Sequence, residues 1–252
     1  MRAYELMKET FFRRTYIWMV HVIWLALYGV FWWLFLPEAP EFGKFLFIWA
    51  GFFLPLALSA GIFGDDIASG RICVIVTRPF WTGELYVFRV LGLSLQAAVH
   101  LALAGAIVLA LHALMRKGTV DGLGVWLLAT WLLFNTCAAL STSLSVVVGR
   151  AFNSLLLLVV IVTGYFLVGL LSILRDQASA GALASFIRYP WPPFELLYKL
   201  AAGEWGQYAP TVGKYSVNKS IACIVHSLML VLVYSIIGIV LLGRQQFSRV
   251  RD

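Results

Sequence analysis

The chain has 252 residues, of which 62% are hydrophobic, 15% aromatic and only 12% charged, with a formal net charge of +7; its mean hydropathy is +0.89. Soluble domains average about 45–50% apolar and about 25% charged residues, so this composition excludes an ordinary soluble enzyme or binding module and predicts an all-α membrane protein. The alternating pattern of a membrane β-barrel is absent, and the basic residues stand at the ends of apolar runs, which is a topology signal and not a nucleic-acid patch.

At the start, MRAYELMKETFFRR places Tyr4, Met7, Phe11 and Phe12 along one side of a helix and Arg2, Glu5, Lys8 and Glu9 elsewhere. That pattern predicts an N-terminal amphipathic helix lying in the membrane interface, with a frayed first turn of the following span as the alternative. Six apolar runs of spanning length follow, from Tyr16 to Leu36, Phe45 to Phe63, Val90 to Leu114, Leu123 to Val148, Ser154 to Leu174 and Ile221 to Leu242. The first has too long an apolar core for a signal peptide and leads into Leu36-Pro37-Glu38-Ala39-Pro40, with no small-residue cleavage site, so it is expected to remain as an anchor.

An even number of spans places both termini on one side. Arg2, Lys8, Arg13, Arg14, Arg71, Arg78, Arg89, Arg150, Arg244, Arg249 and Arg251 fall on that side, against Lys44, Arg116 and Lys117 in the two short opposite loops. The bias predicts cytoplasmic termini.

The stretch from Arg175 to Lys219 is the one sizeable segment outside the predicted spans. Pro190, Pro192 and Pro193 break any helix there, and Phe194, Leu197, Tyr198 and Ala201 then recur at helical spacing. This predicts a short amphipathic or re-entrant helix in an outer loop before the sixth span, with an ordinary surface loop as the alternative. Nothing outside the spans is long enough for a soluble domain, so residues 1–252 form one transmembrane domain.

Chemistry-bearing residues are sparse. Cys73, Cys137 and Cys223 lack the spacing of a metal site or disulfide framework. His100 and His112 share the third span, but twelve residues is about 18 Å of rise and about 120° of rotation, so they share no face. His21 and His226 lie on other spans, and no matched histidine pair for haem emerges. Gly206 to Lys214, GQYAPTVGK, imitates a phosphate-binding loop, but six residues separate its glycines and Tyr215 stands where a magnesium-binding hydroxyl belongs. No metal site and no catalytic residue is expected, and neither are a nucleotide-hydrolysing motif or a nucleic-acid partner.

The predicted spans contain no Asp, Glu, Lys or Arg, which argues against an ion-coupled secondary transporter or a membrane-embedded enzyme. They do contain small polar residues. Close helix packing with interhelical hydrogen bonds accounts for most of these; the alternative is a polar translocation path along Asn135, Ser141, Thr142 and Ser145 of the fourth span and Thr163 and Tyr165 of the fifth.

The most structured loop on the cytoplasmic side is GDDIASGRICVIVTRPF, residues 64–80. Asp65 or Asp66 is expected to cap a helix entering at Ile67, because a carboxylate accepts from the free N–H groups of a first turn. Ile67, Ile72, Ile75 and Val76 supply an apolar side, Gly70 leaves room for another backbone, and Pro79 ends the helix by disfavouring it at Arg78.

An acidic residue, a glycine shortly after it, an apolar stretch closing at proline, and a basic-x-x-Gly start to the next span resemble the first cytoplasmic loop of type-2 ABC (ATP-binding-cassette) exporter permeases. Here these are Asp66, Gly70, Pro79 and Arg89-Val90-Leu91-Gly92. The amphipathic start, six spans, long outer loop and short basic tail are similar to that family as well. Many relatives carry Glu and Lys where this chain has Asp66 and Arg89.

The resemblance implies that the loop is a coupling helix between spans 2 and 3 that docks on a separate ATPase subunit. ATP and Mg would sit on that partner, and two ATPases would work with two permeases, the second being the same chain or a paralogue. It further implies that Asp65 and Asp66 act as caps or polar contacts, Ile72 and Ile75 as anchors, and Arg71 and Arg78 as partners for acidic groups. The alternative is a loop helix that packs only on its own bundle.

Overall fold

A computed structural model describes residues 2–12, 15–35, 39–72, 81–115, 120, 122–173, 211–212, 215–216 and 219–244. Among them the secondary structure is helical apart from one short hairpin. The helices are α1 (Arg2–Phe12), α2 (Thr15–Phe35), α3 (Ala39–Leu58), α4 (Gly64–Ala68), α5 (Thr82–Leu114), α6 (Leu123–Leu144), α7 (Arg150–Ile173) and α8 (Lys219–Arg244). The hairpin pairs β1 (Thr211–Val212) with β2 (Tyr215–Ser216), antiparallel, and takes in part of the segment that imitates a phosphate-binding loop. The predicted re-entrant helix around Phe194 lies outside the described residues.

Among the described residues four helices are long and apolar enough to cross a membrane: Trp18–Phe35 of α2, all of α5 and α6, and Cys223–Arg244 of α8. Two shorter apolar stretches, Trp49–Leu58 of α3 and Arg150–Gly164 of α7, accompany them. Outward-facing positions are apolar as well, for example Val22, Leu34, Leu103, Leu228 and Ile236. Apolar surface turned outward along whole helices is the character of membrane-embedded segments, since lipid tails are as apolar as leucine.

Burial identifies the middle of the bundle. In α6 67% of positions are buried, against 17% in the apolar stretch of α2 and 22% in that of α8. α6 touches α3, α5, α7 and α8, while α2 packs on α3 and α5, and α1 on α5. Small residues allow the helix axes to approach closely: Ala129, Ala138, Ala139 and Ser141 of α6 are all buried, and a Cβ on Gly51 of α3 would stand 3.1 Å from Leu133.

The helix ends depart from the expected spans for local reasons. α3 stops at Leu58 and not at Phe63, because after the last helical bond, from Ser59 N–H to the Pro55 carbonyl at 3.0 Å, the chain turns with Ile62 N–H bonded to the Ser59 carbonyl and Gly61 in the left-handed region at φ +73°. α5 begins at Thr82, eight residues before the apolar run, and its 33 residues rise about 50 Å, well beyond a hydrocarbon core of about 30 Å. Its first two turns, which carry Glu84 and Arg89, therefore project past the part suited to lipid. α6 ends at Leu144, where Ser145 Oγ–H turns back to the Thr142 carbonyl at 2.7 Å.

Candidate functional site

The projecting end of α5 meets α1 and the loop after α3, and buried charge collects there. Arg89 is fully buried; its Nη2 lies 3.3 Å from Oδ2 of Asp66, also fully buried. Its Nη1 donates to Thr10 Oγ1 at 3.1 Å, and Thr10 donates in turn to the Leu6 carbonyl at 2.8 Å. Glu9 approaches from the rim, with Oε1 3.7 Å from Arg89 Nη2 and 3.2 Å from Arg71 Nη2. One guanidinium thus joins α1, α4 and α5, and a second, on the exposed Arg71, extends the network to the surface. Burying the Asp66 and Arg89 charges is tolerable only because each faces the other with hydrogen-bonding geometry.

Packing reinforces the same junction. Gly92, one turn above Arg89, leaves no room for a side chain: a Cβ would fall 2.8 Å from Thr10 Cβ and 3.0 Å from the Met7 carbonyl oxygen. Leu6 and Thr10, one turn apart, form the buried face of α1, while Tyr4 and Phe12 point outward. The Phe63 ring, ahead of α4, stacks on Tyr86 of α5 with centroids 5.5 Å apart and planes at 10°. Tyr86 Oη–H reaches the Ala139 carbonyl of α6 at 3.3 Å, and the Phe63 N–H donates to Ser145 Oγ at 3.4 Å. The start of the loop is therefore wedged between α1, α5 and the end of α6.

Several expectations for this loop change. The helix starts at Gly64, not Ile67, with Phe63 in the capping position and no side-chain cap bond there; Asp65 and Asp66 occupy its first turn. They still favour the positive end of the helix dipole, but Asp66 is engaged by Arg89 and is not a surface contact. Gly70 has φ +69°, the left-handed turn that ends α4, and nothing in the chain's described residues lies within 4 Å of where its Cβ would be. The chain is helical again at Arg71 and Ile72. Ile72 is only 2% exposed and anchors the loop to this chain's own core, whereas Ala68, Ser69 and Arg71 are exposed. Ile75, Arg78 and Pro79 lie outside the described residues.

The candidate path residues are brought together only in part. Asn135 Nδ2 donates to the Trp131 carbonyl at 2.7 Å; Ser141, Thr142 and Ser145 are buried, and Asn153 Nδ2 of α7 donates to the Ser141 carbonyl at 2.8 Å and to its Oγ at 3.3 Å. Thr163 sits on an exposed face of α7, away from that cluster, and the Tyr165 side chain lies outside the described residues. Of the fourth-span hydroxyls, Ser141 thus serves the α6–α7 contact. Asn153→Ala is expected to lower stability by about 1–3 kcal/mol, and Thr163→Ala by less than about 0.5 kcal/mol, as read from thermal melting in detergent.

The histidines are arranged differently from their sequence spacing. His21 of α2 and His100 of α5 face one another with Nδ1 atoms 3.0 Å apart, and His112 Nε2 accepts from Trp32 Nε1 at 2.8 Å. A haem iron between His21 and His100 needs metal–nitrogen bonds of about 2 Å on opposite sides and hence nitrogens about 4 Å apart, with a macrocycle between the rings. Ring centroids 4.9 Å apart and a direct N···N contact do not fit it. Cys137 and Cys223 are buried free thiols, as expected of small apolar residues. Among the described residues no group of three or more His, Cys, Asp or Glu side chains gathers as a metal site.

Periodicity found neither the Asp66–Arg89 pair nor the contribution of Thr10 and Glu9. The only signal in the sequence was the placement of Asp66 and of Arg89-x-x-Gly92 on either side of the loop. No protein-family model matches the chain, and no curated protein matches it.

Proposed function

We propose that the chain is the transmembrane permease subunit of a type-2 ABC exporter, a six-span bundle that forms a translocation path with a second permease and takes work from separate ATPase subunits holding ATP and Mg. In this reading both termini are cytoplasmic in a bacterial inner membrane, α1 lies at its surface, and the loop after α3 is the coupling segment. The observation that carries it is the Asp66–Arg89 pair, which fastens that loop to α5 and α1 at once. A segment pushed by a partner transmits displacement only if it is rigidly joined to what it must move, and coupling through packed elements with ionic links supplies that joint.

The exposed residues Ala68, Ser69 and Arg71 make the docking face in this reading, together with Ile75 and Arg78 farther along, while Asp66 and Ile72 hold the segment from behind. The test is co-purification with an ATPase subunit. Arg71→Glu, at a side chain 54% exposed whose link to Glu9 is a surface pair, is expected to change stability by less than about 1 kcal/mol and to abolish ATPase capture. A chain that transports when purified alone, or an Arg71→Glu variant that binds the ATPase and transports as the parent does, overturns the reading.

A further inference from the structure

Halfway along α5, polar side chains collect where apolar ones are expected. Gln96 and His100 stand one turn apart on α5, and His21 and Tyr28 two turns apart on α2, so each pair shares a helix face. The His100 ring lies between the other two, with centroids 4.9 Å from His21 and 5.9 Å from Tyr28. All four side chains are at least nine-tenths buried. Trp18 packs on His21 and Phe47 stacks on Tyr28, which walls the group with aromatic rings.

Within the group, one hydrogen bond joins the two Nδ1 atoms at 3.0 Å. Five further buried atoms, Nε2 of His21, Nε2 of His100, the Tyr28 hydroxyl and both amide atoms of Gln96, have no hydrogen-bond partner among the described residues. Leaving so many polar atoms dry in an apolar surround would be severely destabilising. Buried polar groups of this kind are satisfied by water when the site offers two to four partners.

The donor count selects the occupant. An Nδ1···Nδ1 contact holds one proton, so one ring presents an Nε2 lone pair outward and the other an Nε2–H. Tyr28 adds one donor and one acceptor, and Gln96 adds both kinds. The set is balanced and uncharged, which suits water. A metal ion bound at the two Nδ1 atoms would displace the shared proton and bring a positive charge into a set that holds no charged side chain.

We propose that the α2–α5 seam holds a small water cluster and that the His21–His100 pair relays protons through it. A proton from water forms a bond to Nε2 of the first ring; that ring's Nδ1–H proton passes to Nδ1 of the second; and the second ring's Nε2–H proton leaves to water. One proton enters, one leaves, and both rings end in the opposite tautomer, which rotation or return through water resets. No charged side chain and no redox partner is needed, and the relay requires no second chain.

The full chain in liposomes loaded with a pH dye, driven by a potassium diffusion potential, is expected to pass protons faster than protein-free vesicles. His21→Phe and His100→Phe return the flux to the protein-free rate, and His226→Phe does not. Flux at the protein-free rate in the parent chain, or flux undiminished in properly assembled His100→Phe protein, overturns the relay. A measurement on the parent chain guards against misfolded variants: with four histidines in the sequence, nitrogen-15 histidine spectra in bilayers resolve each ring. The relay predicts water exchange at Nε2 of His21 and His100 and a scalar coupling across their N–H···N bond. A dry pair without exchange refutes it, as does stoichiometric uptake of zinc or copper with loss of that coupling.

Discussion

Arg89→Ala is expected to lower the stability of the chain by about 3–5 kcal/mol, because it leaves the Asp66 carboxylate buried without its counter-charge. Both side chains are inaccessible to solvent and 3.3 Å apart, so the loss should vary little with ionic strength, unlike that of an exposed pair. Asp66→Ala should cost a similar amount. The double variant Asp66→Leu/Arg89→Met, in which no charge remains, should recover a large part of the loss, since apolar replacement of a whole buried pair is often close to neutral. Thermal melting in detergent of both single variants and the double variant measures the coupling directly. If the double variant is as unstable as the sum of the singles, the pair is not what holds the loop.

Gly92→Val should detach α1 while leaving the rest of the bundle assembled. The added carbon would collide with Thr10 Cβ at 2.8 Å and with the Met7 carbonyl oxygen at 3.0 Å, and a helix backbone cannot yield as a flexible side chain can. Overpacking of this kind costs about 1–3 kcal/mol. The cheapest relief is for α1 to lift away, which breaks the Thr10–Arg89 hydrogen bond and separates Glu9 from both arginines. Hydrogen exchange should then rise across 2–12 and stay unchanged in α6. Equal protection of α1 in the variant and the parent would show that α1 does not rely on this contact.

The course of the chain was legible because spanning helices need long apolar runs, and those runs are hard to disguise. α2 and α8 match their predicted spans to within about two residues. The start of α5 was not legible, since Glu84 and Arg89 interrupt the apolar pattern and read as loop, yet a helix can continue beyond the lipid once α1 covers it. The resemblance pointed to Asp66, Gly70, Arg89 and Gly92 without saying why those residue types are needed. The structure supplies the reasons: an ion pair, a left-handed turn at φ +69° and a close helix approach. His21 and His100 were judged unmatched because spacing along one helix says nothing about which helix packs against it. Their contact joins positions 79 residues apart. Polar residues of α6 carried a similar ambiguity, and the partner that Ser141 meets, Asn153 on the next helix, has no counterpart in the spacing along α6 itself.

The deep burial of α6 also bears on how the chain is made. A nascent α2 or α8 can rest among lipid tails on its own, because most of its surface is apolar and outward. α6, with Asn135, Thr136, Ser141, Thr142 and Ser143 along it, has to be sheltered, and one of the helices that cover it, α8, emerges from the ribosome well after it. Until then, hydroxyl and amide groups that later meet protein face lipid or whatever escorts the growing chain. The interval between synthesis of α6 and synthesis of α8 is thus when the unfinished protein is most open to surveillance by membrane proteases, and completion of α8 closes it.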